Sequence, residues 1–273
     1  MSIKYSVLMS VYCKENSEFL RESLNSMINQ TVKPDQIVVV KDGVLTKELD
    51  DTIDEYKNKY FDLFTIVELK ENVGLGSALN IGLSHCRNEI IARMDSDDIS
   101  IANRCEIQIN ELIKNEDIDI IGSFVDEFID EKINIVSTRK VPLTHEEIYM
   151  FSKRRNPFNH PSVMYRKSKV LQIGGYPNRK RGQDMELFAK MLNQGCKGKN
   201  IDKALVLFRT GNDAAKRRKS WNTTKNKIEL MYSLWKSNIS SFNDFIIVSL
   251  AQLFVFICPI FIQDKIYSRF LRN

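Results

Sequence analysis

Four short apolar runs, each closed by a polar residue and followed by a helical pattern, constrain this chain more than anything else in it. They are Tyr5 to Val11, Ile37 to Val40, Leu63 to Leu69 and Ile90 to Met94. Runs of this length, rich in branched residues, read as buried strands. Between them Leu20, Leu24, Met27 and Ile28 recur at helical spacing, residues 46–60 look helical, and a small-residue helix is expected from about Gly76 to Cys86. Strands alternating with helices predict an α/β fold, a mainly parallel sheet wound by right-handed crossovers. Ligands of such sheets bind beyond the carboxyl ends of the strands. Tyr12, Asp42, Asn72 and the pair Asp95/Asp97 each fall at one of those ends, which gathers them along one rim.

The fourth run breaks into Asp95-Ser96-Asp97-Asp98, three carboxylates in four residues. Carboxylates two apart at a strand end can turn toward one point and share a divalent cation through hard oxygen ligands. The plain alternative is a solvated acidic turn in which Asp98 or Ser100 caps the following helix. The regular placement of acids and amides on the same rim favours the metal-and-ligand reading.

Beyond residue 100 the pattern is mixed. A helix is expected over about Ile101 to Lys114, a short strand over Ile118 to Ile121, and an added antiparallel piece over Phe124 to Val136. Residues 144–153 read as a short helix, and Asn156 to Tyr165 as a proline-flanked loop feeding a strand. Gln183-Asp184-Met185-Glu186 opens an apolar helix, and Lys203 to Arg209 is the last expected strand.

The net charge is +5, and the cations cluster at Lys153-Arg154-Arg155, Arg179-Lys180-Arg181 and Lys216-Arg217-Arg218-Lys219. Such a surface suits phosphate-bearing ligands or an anionic membrane face. No nucleic-acid recognition motif accompanies it, so nucleic acid is not an expected partner. Five singly scattered cysteines fit a reduced, cytosolic chain without a disulfide framework or zinc site. The first residues run directly into a strand, so no signal peptide is expected. At the other end Phe245 to Ile262 is an apolar run of about 18 residues, at the lower edge for a membrane span. Lys225, Lys227 and Lys236 before it and Lys265, Arg269 and Arg272 after it give both flanks the same sign. With Pro259, this predicts a helix or hairpin lying in the cytoplasmic interface rather than a simple span, with a buried core helix as the alternative.

In order along the chain, Tyr12, Asp42-Gly43, Glu71-Asn72-Val73-Gly74, Asp95-Ser96-Asp97-Asp98 and Gln183-Asp184 resemble the motifs of the family 2 glycosyltransferases, most closely those building bacterial O-antigen, capsule or exopolysaccharide repeats. The resemblance covers about residues 4–210. It implies a GT-A fold, a Rossmann-like sheet fused to an acceptor-binding portion, and a nucleoside-diphosphate-sugar donor. The expected division is a glycosyltransferase domain over 1–215, with its nucleotide-binding half at 1–100 and its acceptor half at 101–215, then a basic and apolar helical tail over 216–273 that associates with membrane. Carried over residue by residue, Val11, Tyr12 and Asp42 would hold the nucleoside, Asn72 and Gly74 would lie near the nucleotide, and Arg93, Asp95 and Ser96 would face ribose or sugar. Asp97 would bind the divalent cation, Mn2+ or Mg2+. The family's usual acid pair before glycine is Lys41-Asp42 here.

The resemblance places Asp184 as general base, since a sugar hydroxyl does not ionise unaided at neutral pH. A helix-opening acid favoured by the macrodipole is the structural alternative. His160 is a candidate acceptor or metal contact, and Arg209, Arg217 and Arg218 are candidates for closing over the diphosphate. The implied reaction is inverting transfer of a hexose, galactose or glucose, from a UDP-sugar to a sugar on a polyprenyl diphosphate, at the cytoplasmic face of the cell membrane. A non-catalytic sugar-nucleotide-binding assembly subunit is the alternative. A sugar nucleotidyltransferase would want a glycine-rich loop after the first strand, and Tyr12-Cys13-Lys14-Glu15-Asn16 has none.

Overall fold

Side-chain alternation along the central strands decides the layering. Strand β1 (Tyr5–Val11) turns Tyr5, Val7, Met9 and Val11 to one face and Leu8 to the other, and β2 (Gln36–Lys41) divides Ile37 and Val39 from Val38 and Val40 in the same way. Strands buried on both faces need a helical layer on each. Helices α1 (Ser17–Ile28), α2 (Lys47–Lys59) and α4 (Arg104–Lys114) cover the first face. Helices α3 (Leu75–His85), α5 (His145–Ser152) and α7 (Gln183–Asn193) cover the second. The computed structural model describes residues 3–129, 132, 134–211 and 220–258.

With β3 (Phe64–Glu68) and β4 (Ile90–Arg93), the first half forms the parallel order β3-β2-β1-β4. The sheet continues without a break into the second half through β8 (Met164–Arg166), antiparallel to β4, then β6 (Ile118–Phe128), β9 (Lys197–Arg209) and the two-residue β5 (Ile99–Ser100). Strand β7 (Ile135–Arg139) pairs with β6 outside this path, and α6 (Lys167–Gln172) follows β8.

The first-half elements fall where the periodicity puts them; the second half differs in identifiable ways. The strand expected over Ile118 to Ile121 runs on to Phe128, because it is buried on both faces and shows no alternation to read. Strand β9 begins at Lys197, six residues before the expected start. Its polar opening is held by ion pairs, Lys197 to Asp117 at 2.6 Å and Lys199 to Glu111 at 2.5 Å. Strand β5 is too short to leave a pattern.

Two C-terminal helices, α8 (Trp221–Lys236) and α9 (Phe242–Ile257), form a hairpin. Leu230, Met231 and Leu234 of α8 pack on Met185 and Ala189 of α7, and Trp235 stacks on Phe245 with ring centroids 5.7 Å apart. The buried residues of α9 are Asp244 and Ser249, while Ile247, Leu250, Phe254 and Ile257 are 50%, 61%, 58% and 76% exposed. A soluble helix carries the reverse arrangement, so the buried core helix considered from sequence is not what forms. No described helix is long and apolar enough to cross a membrane.

Helix α3 lies flush on the sheet at Gly82, where an added methyl would sit 2.5 Å from Val40 Cγ2 and 2.6 Å from Leu8 Cδ1. Gly82→Ala should destabilise the fold by about 1–3 kcal/mol through overpacking, read as a lower urea midpoint with an unchanged slope.

Candidate active site

The strand order reverses between β1 and β4, and the crevice of a doubly wound sheet opens at that point. Three chain segments meet there, and each is held by an identifiable contact.

The first is the Asp42 turn. Asp42 is buried; its Oδ1 accepts from the Val73 amide at 2.7 Å and its Oδ2 from Asn72 Nδ2 at 3.1 Å. Two rim residues expected from sequence are thus bonded to each other. Gly43 has φ +87°, and a methyl there would sit 2.7 Å from the Asn72 nitrogen, so glycine permits this approach. Gly74, with φ +85°, opens α3 with no side-chain cap. Lys41, standing where the family's first acid is expected, bonds Asp50 at 2.7 Å and Glu68 at 3.0 Å and so fastens β2 to α2 and β3.

The second is the acidic turn. One carboxylate oxygen from each of Asp95, Asp97 and Asp98 lies within 4.8 Å of the others. Arg93, 1% exposed, pairs with Asp95 through Nη2, while its Nε and Nη1 are buried without a hydrogen-bond partner among the described residues. Fully buried Arg104 donates to the Arg93 carbonyl at 2.8 Å and so fixes the strand end. Ser23 of α1 donates to the Asp95 carbonyl at 2.7 Å. Asp98 Oδ1 accepts from the Arg209 amide at 2.8 Å, and Asp98 Oδ2 is buried without a partner among the described residues. Burial, then the charge of Asp95, pushes Asp97 up to about 6. Glu15, from the loop after β1, bonds Ser96 and is pushed up to about 7 by burial and by Asp97 and Asp95. Asp98 is raised by the same causes. Repelling hard-oxygen groups with an orphaned buried oxygen are a donor set that fits a divalent cation.

Arg209 departs from the expectation of a residue closing over a diphosphate. Its Nε donates to the Asp97 carbonyl at 3.0 Å and its Nη2 to Glu22 at 2.5 Å, and its guanidinium lies 3.7 Å over the Phe19 ring. It is a fixed brace under the acidic turn. Arg217 and Arg218 lie outside the described residues.

The third segment is the opening of α7. Asp184 Oδ2 accepts from Asn156 Nδ2 at 2.6 Å. Burial raises the Asp184 carboxyl above the ordinary aspartate range, opposed by the backbone N–H groups of Met185 and Asp184 itself. Burial raises the Tyr176 hydroxyl, on which the charges of Arg93, Asp184 and Asp95 also act. Tyr176 is tied to α3 through Asn80, whose Oδ1 accepts from its amide at 2.7 Å and whose Nδ2 donates to its carbonyl at 2.8 Å. His160 is buried, with Nε2 3.0 Å from the Tyr176 hydroxyl, and burial lowers its pKa well below the usual value. Its Nε2 is thus engaged by Tyr176, within the packing beside the site. Tyr12 is partly exposed above Val11 at the mouth of the crevice.

Sequence reasoning missed Glu15, Arg104 and the Asn156 contact. Glu15 stands only four residues beyond the end of β1 on the same rim and could have been found. Arg104 lies inside a helix, and Asn156 is 28 residues from Asp184, so neither leaves a local signal.

The residues from 6 to 174 match the family model "Glycosyl transferase family 2". This chain belongs to that family. It is 37% identical over 270 residues to UDP-Gal:alpha-D-GlcNAc-diphosphoundecaprenol beta-1,3-galactosyltransferase of Escherichia coli, covering 99% of this chain and 97% of the relative. It is 34% identical over 226 residues to the amylovoran biosynthesis glycosyltransferase AmsE of Erwinia amylovora, covering 83% and 84%. Among solved structures it resembles the mannosyltransferase PcManGT of Pyrobaculum calidifontis in complex with GDP-Man and Mn2+, with a TM-score of 0.65, 14% identity, and 92% and 69% of the two chains covered. The family 2 membership and GT-A fold expected from the motifs both hold.

In a family 2 glycosyltransferase with this rim, Asp98 carries a charge that the metal-free fold disfavours. A raised carboxyl binds its proton more tightly folded than unfolded, so the metal-free protein loses stability as pH rises from about 4, where unfolded aspartates titrate, through the raised values. Asp98→Asn should therefore raise the thermal midpoint of metal-free protein at pH 7.5, shrink its dependence on pH, and reduce the added stabilisation by Mn2+. Thermal unfolding at pH 5 and 7.5, with and without Mn2+, checks this; a lower midpoint for the metal-free variant at pH 7.5 contradicts it.

Proposed function

We propose that this protein transfers a hexose, galactose or glucose, from a UDP-sugar to an N-acetylhexosamine carried on a polyprenyl diphosphate, with inversion, in the building of a bacterial surface polysaccharide such as O-antigen or capsule. The observation that carries the reading is Asp184, a carboxylate held by Asn156 at the edge of the same crevice as the acidic turn. The Escherichia coli relative, named for a UDP-galactose donor and a GlcNAc-diphosphoundecaprenol acceptor, supports the choice of substrates.

The residues divide the work as follows. The Asp42–Asn72 turn and the β1 end at Val11-Tyr12 receive the nucleoside, and Gly74 at the α3 opening lies near the nucleotide. Arg93, with two buried donors unspent, and Asp95 face the ribose or the sugar. Asp97 and Asp98 would hold a divalent cation, Mn2+ or Mg2+, which when bound supplies Lewis-acid stabilisation for the departing nucleoside diphosphate. Asp184, its proton affinity raised by burial toward the working pH, takes the proton from the acceptor hydroxyl. A single base acting on the face opposite the leaving group makes the displacement in-line and gives a β-linked product from an α-linked donor.

Asp184→Asn and Asp97→Ala should each lower kcat at least about 100-fold, the lower end of general-base contributions, with a native circular-dichroism spectrum. Release of UDP from a UDP-sugar panel, with and without a lipid-diphosphate acceptor, is the measurement. Wild-type-like turnover in either variant would remove the residue from its assigned role.

The exposed apolar side of α9 is read as lying in the cytoplasmic leaflet, where the acceptor is. A Leu250→Glu/Phe254→Glu double variant should lose flotation with anionic vesicles while keeping its thermal midpoint, since both side chains already face outward.

A further inference from the structure

Around the junction of α7 with the C-terminal hairpin, several cations are matched to acids. Arg154 pairs with Asp244, Arg179 with Glu186 at 2.8 Å, and Lys190 with Glu186 at 2.8 Å. Two are not. Lys227 of α8 and Arg155, next to Asn156, have no carboxylate within 4.0 Å among the described residues. Lys227 sits on the inner face of its helix, one turn from Leu230 and Met231, which pack on α7. That packing is close: a methyl on Gly182, two residues before Asp184, would sit 2.8 Å from Leu230 Cδ2, and Arg181 donates to Thr223 at 2.8 Å. Its ammonium is left 3.1 Å from the Met185 sulfur, a soft neutral atom beside Asp184. The Arg155 guanidinium lies 5.0 Å from the Phe151 ring and close enough for its charge to reach Lys227. Lys227 was counted from sequence among the basic flank of the apolar tail; the fold turns it inward.

We propose that Lys227 and Arg155 form the subsite for the acceptor's diphosphate, beside Asp184. The inference rests on the reading that the acceptor is a sugar diphosphate on a lipid. If the attacking hydroxyl lies against Asp184, the diphosphate on the same sugar is one pyranose ring away, and two unmatched cations flank that position. A partly desolvated ammonium without a counter-ion is costly until an anion arrives, and phosphate oxygens supply one through charge-assisted hydrogen bonds. Burial lowers Lys227 to about 8, the charge of Asp184 opposing the shift, in keeping with an ammonium that an arriving dianion would hold charged. The placement also gives the hairpin a second role. It carries the diphosphate subsite on its inner face and the apolar side chains of α9 on its outer one, so the lipid leaving the diphosphate runs toward the surface those side chains occupy.

The test uses two acceptors with the same sugar, N-acetylglucosaminyl diphosphate bearing an alkyl chain and the plain alkyl N-acetylglucosaminide, with full-length protein and a UDP-hexose. The wild type should prefer the diphosphate, and Lys227→Met should reduce the ratio of kcat/KM values for the two acceptors about 10- to 100-fold, the worth of a lost charge-assisted contact. Lys227→Arg should restore most of the preference, and Arg155→Gln should reduce it in the same sense. A ratio at the wild-type value in Lys227→Met, with native folding by circular dichroism, overturns the subsite; so does a rise in the KM for the UDP-hexose with no change in the ratio, which assigns the charge to the donor. No transfer by the wild type to the diphosphate acceptor overturns the substrate reading itself and the subsite with it.

Discussion

The structure is organised around an electrostatic conflict. Asp95, Asp97 and Asp98 are brought within 4.8 Å of one another where burial denies them water, and Glu15 adds a fourth acid. Like charges so placed raise one another's pKa and oppose folding unless cations share the space. Arg93 and Arg209 supply part of the compensation, while Arg104 holds the backbone without touching a carboxylate. The match is incomplete, since Asp98 Oδ2 and two nitrogens of Arg93 lack partners among the described residues. Those unspent groups are where the protein has capacity for a cation and an oxygen-rich ligand.

How much of this was legible in the sequence depends on how local each cause is. The β-α alternation of the first half is a local pattern, and every strand from β1 to β4 could be placed from it. The rim residues Asp42, Asn72 and Asp95 to Asp98 followed, because a parallel sheet puts its carboxyl ends together. The second half hid its strands for physical reasons. Strand β6 buries its polar residues Asp119, Ser123 and Glu127 along with its apolar ones, β9 opens on charged residues neutralised from other elements, and β5 is two residues long. Contacts between distant residues left no trace at all. Arg209 reads as a basic residue at the end of a strand, and only the fold shows it to be stacked on Phe19 and bonded to Glu22.

The C-terminal hairpin shows how one segment serves two solvents. Along α8, Leu230, Met231 and Leu234 complete the packing of α7 and thereby hold the helix that bears Asp184. Along α9 the order is inverted, with Asp244 and Ser249 covered and the aliphatic and aromatic side chains outward. The inward contacts explain why the hairpin belongs to the folded body, and the outward ones are what a lipid surface would take up. Neither role is visible from hydropathy alone, which gives the apolar run but not the side on which it is covered.

The brace at Arg209 has a consequence for the order in which the protein comes into being. The acidic turn belongs to the first hundred residues, yet the group that accepts its weight, and the strand to which Ile99 and Ser100 are bonded, come more than a hundred residues later. During synthesis the first half can lay down its strands as they emerge. Its most charged loop lacks the Arg209 brace until the ribosome has released residue 209. The site is thus assembled from both ends of the chain, and a nascent or truncated fragment holding every rim residue of the first half still lacks the bonds that Arg209 makes to Asp97 and Asp98.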